Sequence, residues 1–189
     1  MKQNTQKISL CEICFELKRH WRSLAVSLLT LALIGCTGMP DGVEPVTGFD
    51  AERYLGKWYE VARLDHGFER DLIDVTAEYS RRDDGGIRVL NSGTDGLSGD
   101  RKQADGKAYF VGDTDVGHLK VSFFGPFYGS YIVFELGDDY DYAFVAGFNT
   151  SYLWLLAREP SVNETVKQRF IDRASALGFD TDELIWLAE

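Results

Sequence analysis

Between residues 55 and 158, apolar and polar side chains alternate in short runs, and this period of two limits the possible folds more than any other feature. Leu119, Val121 and Phe123 share one face, with Lys120 and Ser122 opposite; Val75, Ala77 and Tyr79 alternate likewise with Thr76, Glu78 and Ser80. Successive residues of a strand point to opposite sides of a sheet, so the pattern is that of strands with one buried face. Eight strands are expected, near 55–65, 73–82, 86–92, 102–111, 117–124, 129–136, 141–148 and 151–158. Turn-forming residues separate them: Asp83-Asp84-Gly85-Gly86, Asp113-Thr114-Asp115 ahead of Gly117, and Gly137-Asp138-Asp139. Eight short strands joined mostly by tight turns predict an all-β, up-and-down antiparallel barrel. Alternation alone does not show closure, so a two-sheet sandwich is the other architecture that fits.

One helix is expected after the strands. Ser161-Val162-Asn163-Glu164 has the S-x-x-E spacing of a capping box, and Val166, Phe170, Ala174 and Leu177 recur at helical spacing before Gly178. The apolar stripe must pack on something. Residues 152–157, Tyr-Leu-Trp-Leu-Leu-Ala, are apolar on both faces, as expected of a strand with the barrel interior on one side and the helix on the other. A short ninth strand is expected near 184–187.

The N-terminal segment carries a different message. Lys18-Arg19-His20-Trp21-Arg22 is followed by thirteen uncharged residues, Ser23 to Gly35. That run is shorter than the roughly 20 residues needed to span a bilayer and reads as the apolar core of a secretory signal. It ends Leu33-Ile34-Gly35-Cys36, which resembles a bacterial lipobox, where the thiol takes a diacylglycerol and the chain is cut before the cysteine. The expected organisation is a signal peptide over 1–35, lipidated Cys36 with a flexible Gly- and Pro-rich tether over 36–48, and the barrel over 49–189. Residues 37–48 would reach at most roughly 40 Å. The residue after the cysteine is Thr37, not Asp, which by resemblance to lipoproteins of Gram-negative bacteria permits delivery to the outer membrane.

Charge narrows the partners. Residues 1–35 hold five of the 20 basic residues and two of the 30 acids, which leaves the remainder at −13. Such a body repels nucleic acid and anionic surfaces, so membrane contact must come from something stronger than surface charge. Catalytic chemistry has little to work with. After Cys36 there is no cysteine and no G-x-S-x-G elbow, and His66 and His118 stand in no metal-binding spacing. Cys11 and Cys14 form a CxxC with no second ligand pair. The acids at 113–115 and 138–141 lack the spacing of a calcium loop. Neither an enzyme nor a cofactor or metal site is expected.

Specific residues then point to a family. Gly56-Lys57-Trp58 at the start of the first strand resembles the lipocalin G-x-W motif, and Arg158 at the end of the eighth resembles the arginine that packs across that tryptophan. YLGKWYEVARLDHGFER (54–70), VTAEYSRRDDGG (75–86), GKAYFVG (106–112), KVSFFGPFYGSY (120–131) and YLWLLARE (152–159) are similar to the bacterial outer-membrane branch of the lipocalins. The family's middle motif departs here to Phe148-Asn149-Thr150-Ser151-Tyr152. The resemblance implies a cavity open at one end for a fatty acid or lysophospholipid, with a mouth formed by loops near 65–72, 91–101, 124–129 and 148–152. It also implies a possible homodimer. Candidate lining residues are Trp58, Glu60, Ala62, Val121, Phe123, Phe134, Phe144 and Trp154, with Tyr128 and Trp154 near the ligand head group. In the family topology the tether joins the barrel near its closed end, which would let the mouth face away from the anchoring leaflet or swing on the linker. A structural envelope lipoprotein without ligand, or a lipid-modifying enzyme, is the alternative.

Overall fold

The computed structural model describes residues 37–187. The basic cluster, the uncharged run and Cys36 lie outside the described residues. Nine strands form one antiparallel sheet: β1 Gly56–Arg63, β2 Leu72–Arg81, β3 Ile87–Asp95, β4 Arg101–Phe110, β5 His118–Ser122, β6 Gly129–Leu136, β7 Tyr142–Ala146, β8 Leu153–Ala157 and β9 Ile185–Trp186. Each of the first eight pairs with its neighbour in sequence, and β1 pairs with both β2 and β8, which closes the sheet into a barrel. A sandwich is thereby excluded. Closure leaves no free edge among the eight strands, and β9 adds to the end of β1 at Ala62 and Arg63.

Two packed layers hold the fold. Inside the barrel, Trp58, Tyr54, Tyr79, Val89, Ala108, Leu119, Val133, Val145 and Leu156 form one cluster, closed from below by Phe49 and the short helix α1 (Ala51–Tyr54). Outside it, α2 (Glu164–Ala176) lies on β6, β7 and β8 and buries Phe170 and Ala174 among Ile132, Phe144, Leu153 and Leu155. The double-sided strand reading of β8 therefore holds: Leu153 and Leu155 meet the helix, while Trp154 and Leu156 face inward. Arg169 and Arg173 of α2 both pair with Glu135 of β6 and fix the helix azimuth. Gly178 ends the helix at φ +81°, a conformation that suits glycine.

Two local expectations need correction. The N-cap of α2 is Asn163, whose side chain accepts the Val166 N–H at 3.0 Å; Ser161 lies outside the helix. Asn caps as well as Ser, and a cap two residues later makes Glu164 the first helical residue instead of the box partner. A second departure concerns residues 37–48, expected as a loose tether. Val43 is buried in the outer cluster, Val46 exchanges hydrogen bonds with Val133 and Gly117, and Thr47 bridges to Val116. Apolar Val43 and Val46 supply the burial that a Gly/Pro reading overlooks, and they make this segment a strap on the outer wall.

Candidate ligand-binding site

The closed end is built on Trp58, which is fully buried and donates its indole N–H to the Tyr54 carbonyl at 2.8 Å. The Arg158 guanidinium lies 4.0 Å over the Trp58 ring and donates to the carbonyls of Arg53 (2.7 Å), Lys57 (2.9 Å) and Tyr140 (3.2 Å). One cation therefore satisfies three carbonyls and shields the indole face. Above this plug, Tyr131 sits between Tyr54 and Tyr79, its hydroxyl 2.6 Å and 2.9 Å from theirs. Burial pushes all three phenols up from their ordinary values, so they remain protonated and can form a hydroxyl chain on the floor.

From that floor the barrel opens into an inner chamber of about 280 Å³, lined by Val75, Ala77, Tyr79, Val121, Phe123, Tyr131, Trp154 and Leu156, with Glu60 and Glu69 on one wall. An outer chamber of about 700 Å³ shares Phe68, Val75, Val121, Phe123 and Phe148 with it and reaches the mouth. The sizes are those of small-molecule sites, and the walls are mostly apolar with few polar groups.

The polar wall is the unexpected part. Arg63, buried, donates to Glu60 Oε1 at 2.8 Å and to the carbonyls of Glu69 (2.9 Å) and Leu72 (3.2 Å). Trp154 donates its indole N–H to Glu69 Oε2 at 3.1 Å. Burial, and next the neighbouring Glu69 charge, push the Glu60 carboxyl up to about 8. Glu69 is raised as well, chiefly by burial. The hydrogen bond between the two raises Glu60 and lowers Glu69, so the proton sits on Glu60. One shared proton and one guanidinium leave this wall close to neutral, which is how two buried acids become tolerable. His66 Nε2 lies 3.2 Å from Glu69 Oε2, but not aligned as a hydrogen bond. Burial, and then the Arg63 charge, lower the imidazole to about 4, so it is neutral and stacks on Phe68 at 4.1 Å. Across the cavity, Asn91 Oδ1 and Ser122 Oγ are buried without a hydrogen-bond partner.

A Lipocalin-like domain family model matches residues 49–189. The chain is a lipocalin. It is 56% identical over 169 residues to "Outer membrane lipoprotein Blc" of Vibrio cholerae, covering 89% of this chain and 99% of that one. Identity to the protein of the same name in Escherichia coli K12 is 46% over 168 residues, covering 88% and 95%. Relatives so named place this lipocalin among the outer membrane lipoproteins of Gram-negative bacteria. Among solved structures, insecticyanin of Manduca sexta superposes with a TM-score of 0.65 at 21% identity, over 80% of this chain and 87% of that one. Lobster apocrustacyanin A1 gives 0.58 at 18%, over 79% and 92%. As a member of this family, the chain is a binding protein and not an enzyme.

The lipocalin barrel sorts the candidate residues cleanly. Glu60, Val121, Phe123 and Trp154 line the inner chamber. Tyr128 lines the outer one, with its ring also over the β4–β5 outer surface, 5.4 Å from Lys120 Nζ. Trp58 lies in the plug beneath the chamber and does not line it. Phe134 and Phe144 are on the wrong side: they pack under α2, with Phe144 4.9 Å from Phe170 and Phe134 6.3 Å from Phe179. Ala62 also faces outward. For Ala62 the cause is an irregularity in register between Glu60 and Ala62 on β1, whereas Phe134 and Phe144 lie on the outward parity of strands whose inward residues are Tyr131 and Val133 on β6 and Ala143 and Val145 on β7. The extra residue on β1 inverts the parity of the rest of that strand.

Sequence patterning does not single out Arg63, Glu69, His66, Asn91 or the floor tyrosines. Glu60 and Arg63, three apart on a regular strand, would point to opposite faces; the irregularity at Val61 turns both inward. A glutamate and an arginine inside the otherwise apolar Tyr59–Ala62 neighbourhood are the available signal.

Proposed function

We propose that this lipocalin holds a single-chain lipid, a fatty acid or lysophospholipid, and stores or carries it in the cell envelope while anchored through acylated Cys36. The observation that carries the reading is the tapering cavity, plugged at Trp58 and open at the loops, with apolar side walls. An acyl chain of about 16 carbons offers on the order of 10 kcal/mol of gross burial there. Ordering costs remove much of that, so affinities from micromolar to nanomolar are expected.

The near-neutral Glu60–Arg63–Glu69 wall favours ligands whose polar group donates hydrogen bonds, and Asn91 and Ser122 offer unpaired atoms on the far side. The test is titration of the mature protein with a fluorescent fatty acid and a fluorescent lysophospholipid. Trp154→Ala removes both an apolar wall and the donor to Glu69, and a loss of roughly tenfold in affinity, ~1.4 kcal/mol, is expected. Absence of binding to either lipid class would refute the carrier reading.

A further inference from the structure

The strap runs along the outer wall of β5 and β6. Phe49 is at the closed end, where its N–H donates to Asp115, but the preceding residues turn back along the outer wall. Val46 is bonded to Val133, and Gly38 accepts from the Ser130 hydroxyl at 2.5 Å, one residue from the mouth end of β6. The chain thus runs up the outer wall from the level of Val133 to that of Ser130, and the Thr37 backbone is hydrogen-bonded to His118 of β5. Thr37 is the first described residue.

Two independent features meet at the rim. The β5–β6 loop carries Phe124, 79% exposed, and Phe127, 74% exposed, and both also line the outer chamber. Exposed phenylalanines on a rim are costly in water unless something covers them. Around them the charge differs from that of the acidic body: residues 116–134 contain no Asp or Glu, and Lys107 and Lys120 flank Tyr128.

We propose that the barrel docks mouth-down on the phospholipid bilayer that carries its anchor, with Phe124 and Phe127 inserted and Lys107 and Lys120 at the phosphates. This differs from the expectation of a mouth facing away from the leaflet or swinging on the linker. An apolar side chain at the interface sits about 5–10 Å deep, at the boundary of headgroup and acyl chain, where a lipid tail can pass directly to Phe123 and the inner chamber. The inference rests on the anchored-carrier reading for Cys36, and the test separates the two.

The lipidated full-length protein is reconstituted into vesicles of phosphatidylethanolamine and phosphatidylcholine. The body has no cysteine after position 36, so Phe124→Cys, Phe127→Cys and closed-end Val111→Cys each give one site for an environment-sensitive fluorophore. Labels at 124 and 127 should shift to the blue and lose most of their emission to spin-labelled lipid, while the label at 111 is unaffected. Quenching at 111 alone, at all three sites alike, or at none overturns the docking. Mass spectrometry of Cys36 and a lysophospholipid titration of the same samples are read separately. An unacylated Cys36 overturns anchor and docking together, whereas lost lipid binding with quenched rim labels overturns only the carrier reading.

Discussion

The two ends of the barrel use the same residue types to opposite effect. At the closed end Arg158 lies over Trp58 and directs its donors to three backbone carbonyls. Halfway up, Arg63 is fully buried where Arg158 is only partly so, and it is set against two acids beside an open space. Arg158 completes a packed plug. Arg63 keeps a polar wall from collapsing or ionising. A buried cation stabilises most simply where its partners are carbonyls already fixed by secondary structure. A carboxyl partner adds a proton, and with it a dependence on pH.

Three substitutions or conditions test that contrast, beginning with the largest effect. Trp58→Ala should cost about 3–5 kcal/mol in urea unfolding, because it opens a cavity and removes the surface under Arg158. Affinity in the fraction that stays folded should remain within about threefold, since Trp58 lines no chamber. A large loss of affinity would mean that the plug shapes the site. Arg63→Met should cost about 3 kcal/mol, because it leaves a buried acid uncompensated. Adding Glu60→Gln and Glu69→Gln to that variant should restore much of the loss. If it restores nothing, Arg63 acts through its backbone contacts alone.

The smallest effect is the pH dependence. Glu60 is raised to about 8, so the native state keeps a proton that the unfolded chain gives up near 4.5, and stability falls as pH rises between them. His66, lowered to about 4, has the opposite sign: the unfolded chain holds the extra proton, and stability rises from about 4 to its ordinary 6.5. The two offset each other in the acid range. From pH 6.5 to 8 the His66 effect is spent, Glu69, also raised, acts in the same direction as Glu60, and stability should decline by about 1 kcal/mol per pH unit. Glu60→Gln should flatten that limb, as followed by unfolding at a series of pH values. A wild-type profile already flat from 6.5 to 8 would show that the two acids do not share a proton.

Most of the architecture is legible in the sequence because its signals are local. Strand alternation, the Val166–Leu177 stripe and the Gly178 stop are each carried within a few residues, and the Gly56–Trp58 and Arg158 motifs mark the closed end. Glu60, Val121, Phe123 and Trp154 can be placed for the same reason. Phe134 and Phe144 cannot, since both faces of β6 and β7 are apolar there, and nothing local tells the face under α2 from the face inside the barrel.

The sequence by itself determined eight strands, one helix, the apolar content of both layers and the plug at Trp58. Periodicity and turn chemistry suffice for those, because they act between near neighbours. Only the tertiary structure decided three further things: which residues of β1 and β6 turn inward, the meeting of Glu60, Arg63 and Glu69 with Trp154, and the upward path of residues 37–48. Each depends on a partner strand or on a group tens of residues away. A bulge exists only relative to the strand beside it, and a buried charge is tolerated only where a distant chain segment supplies its counterpart.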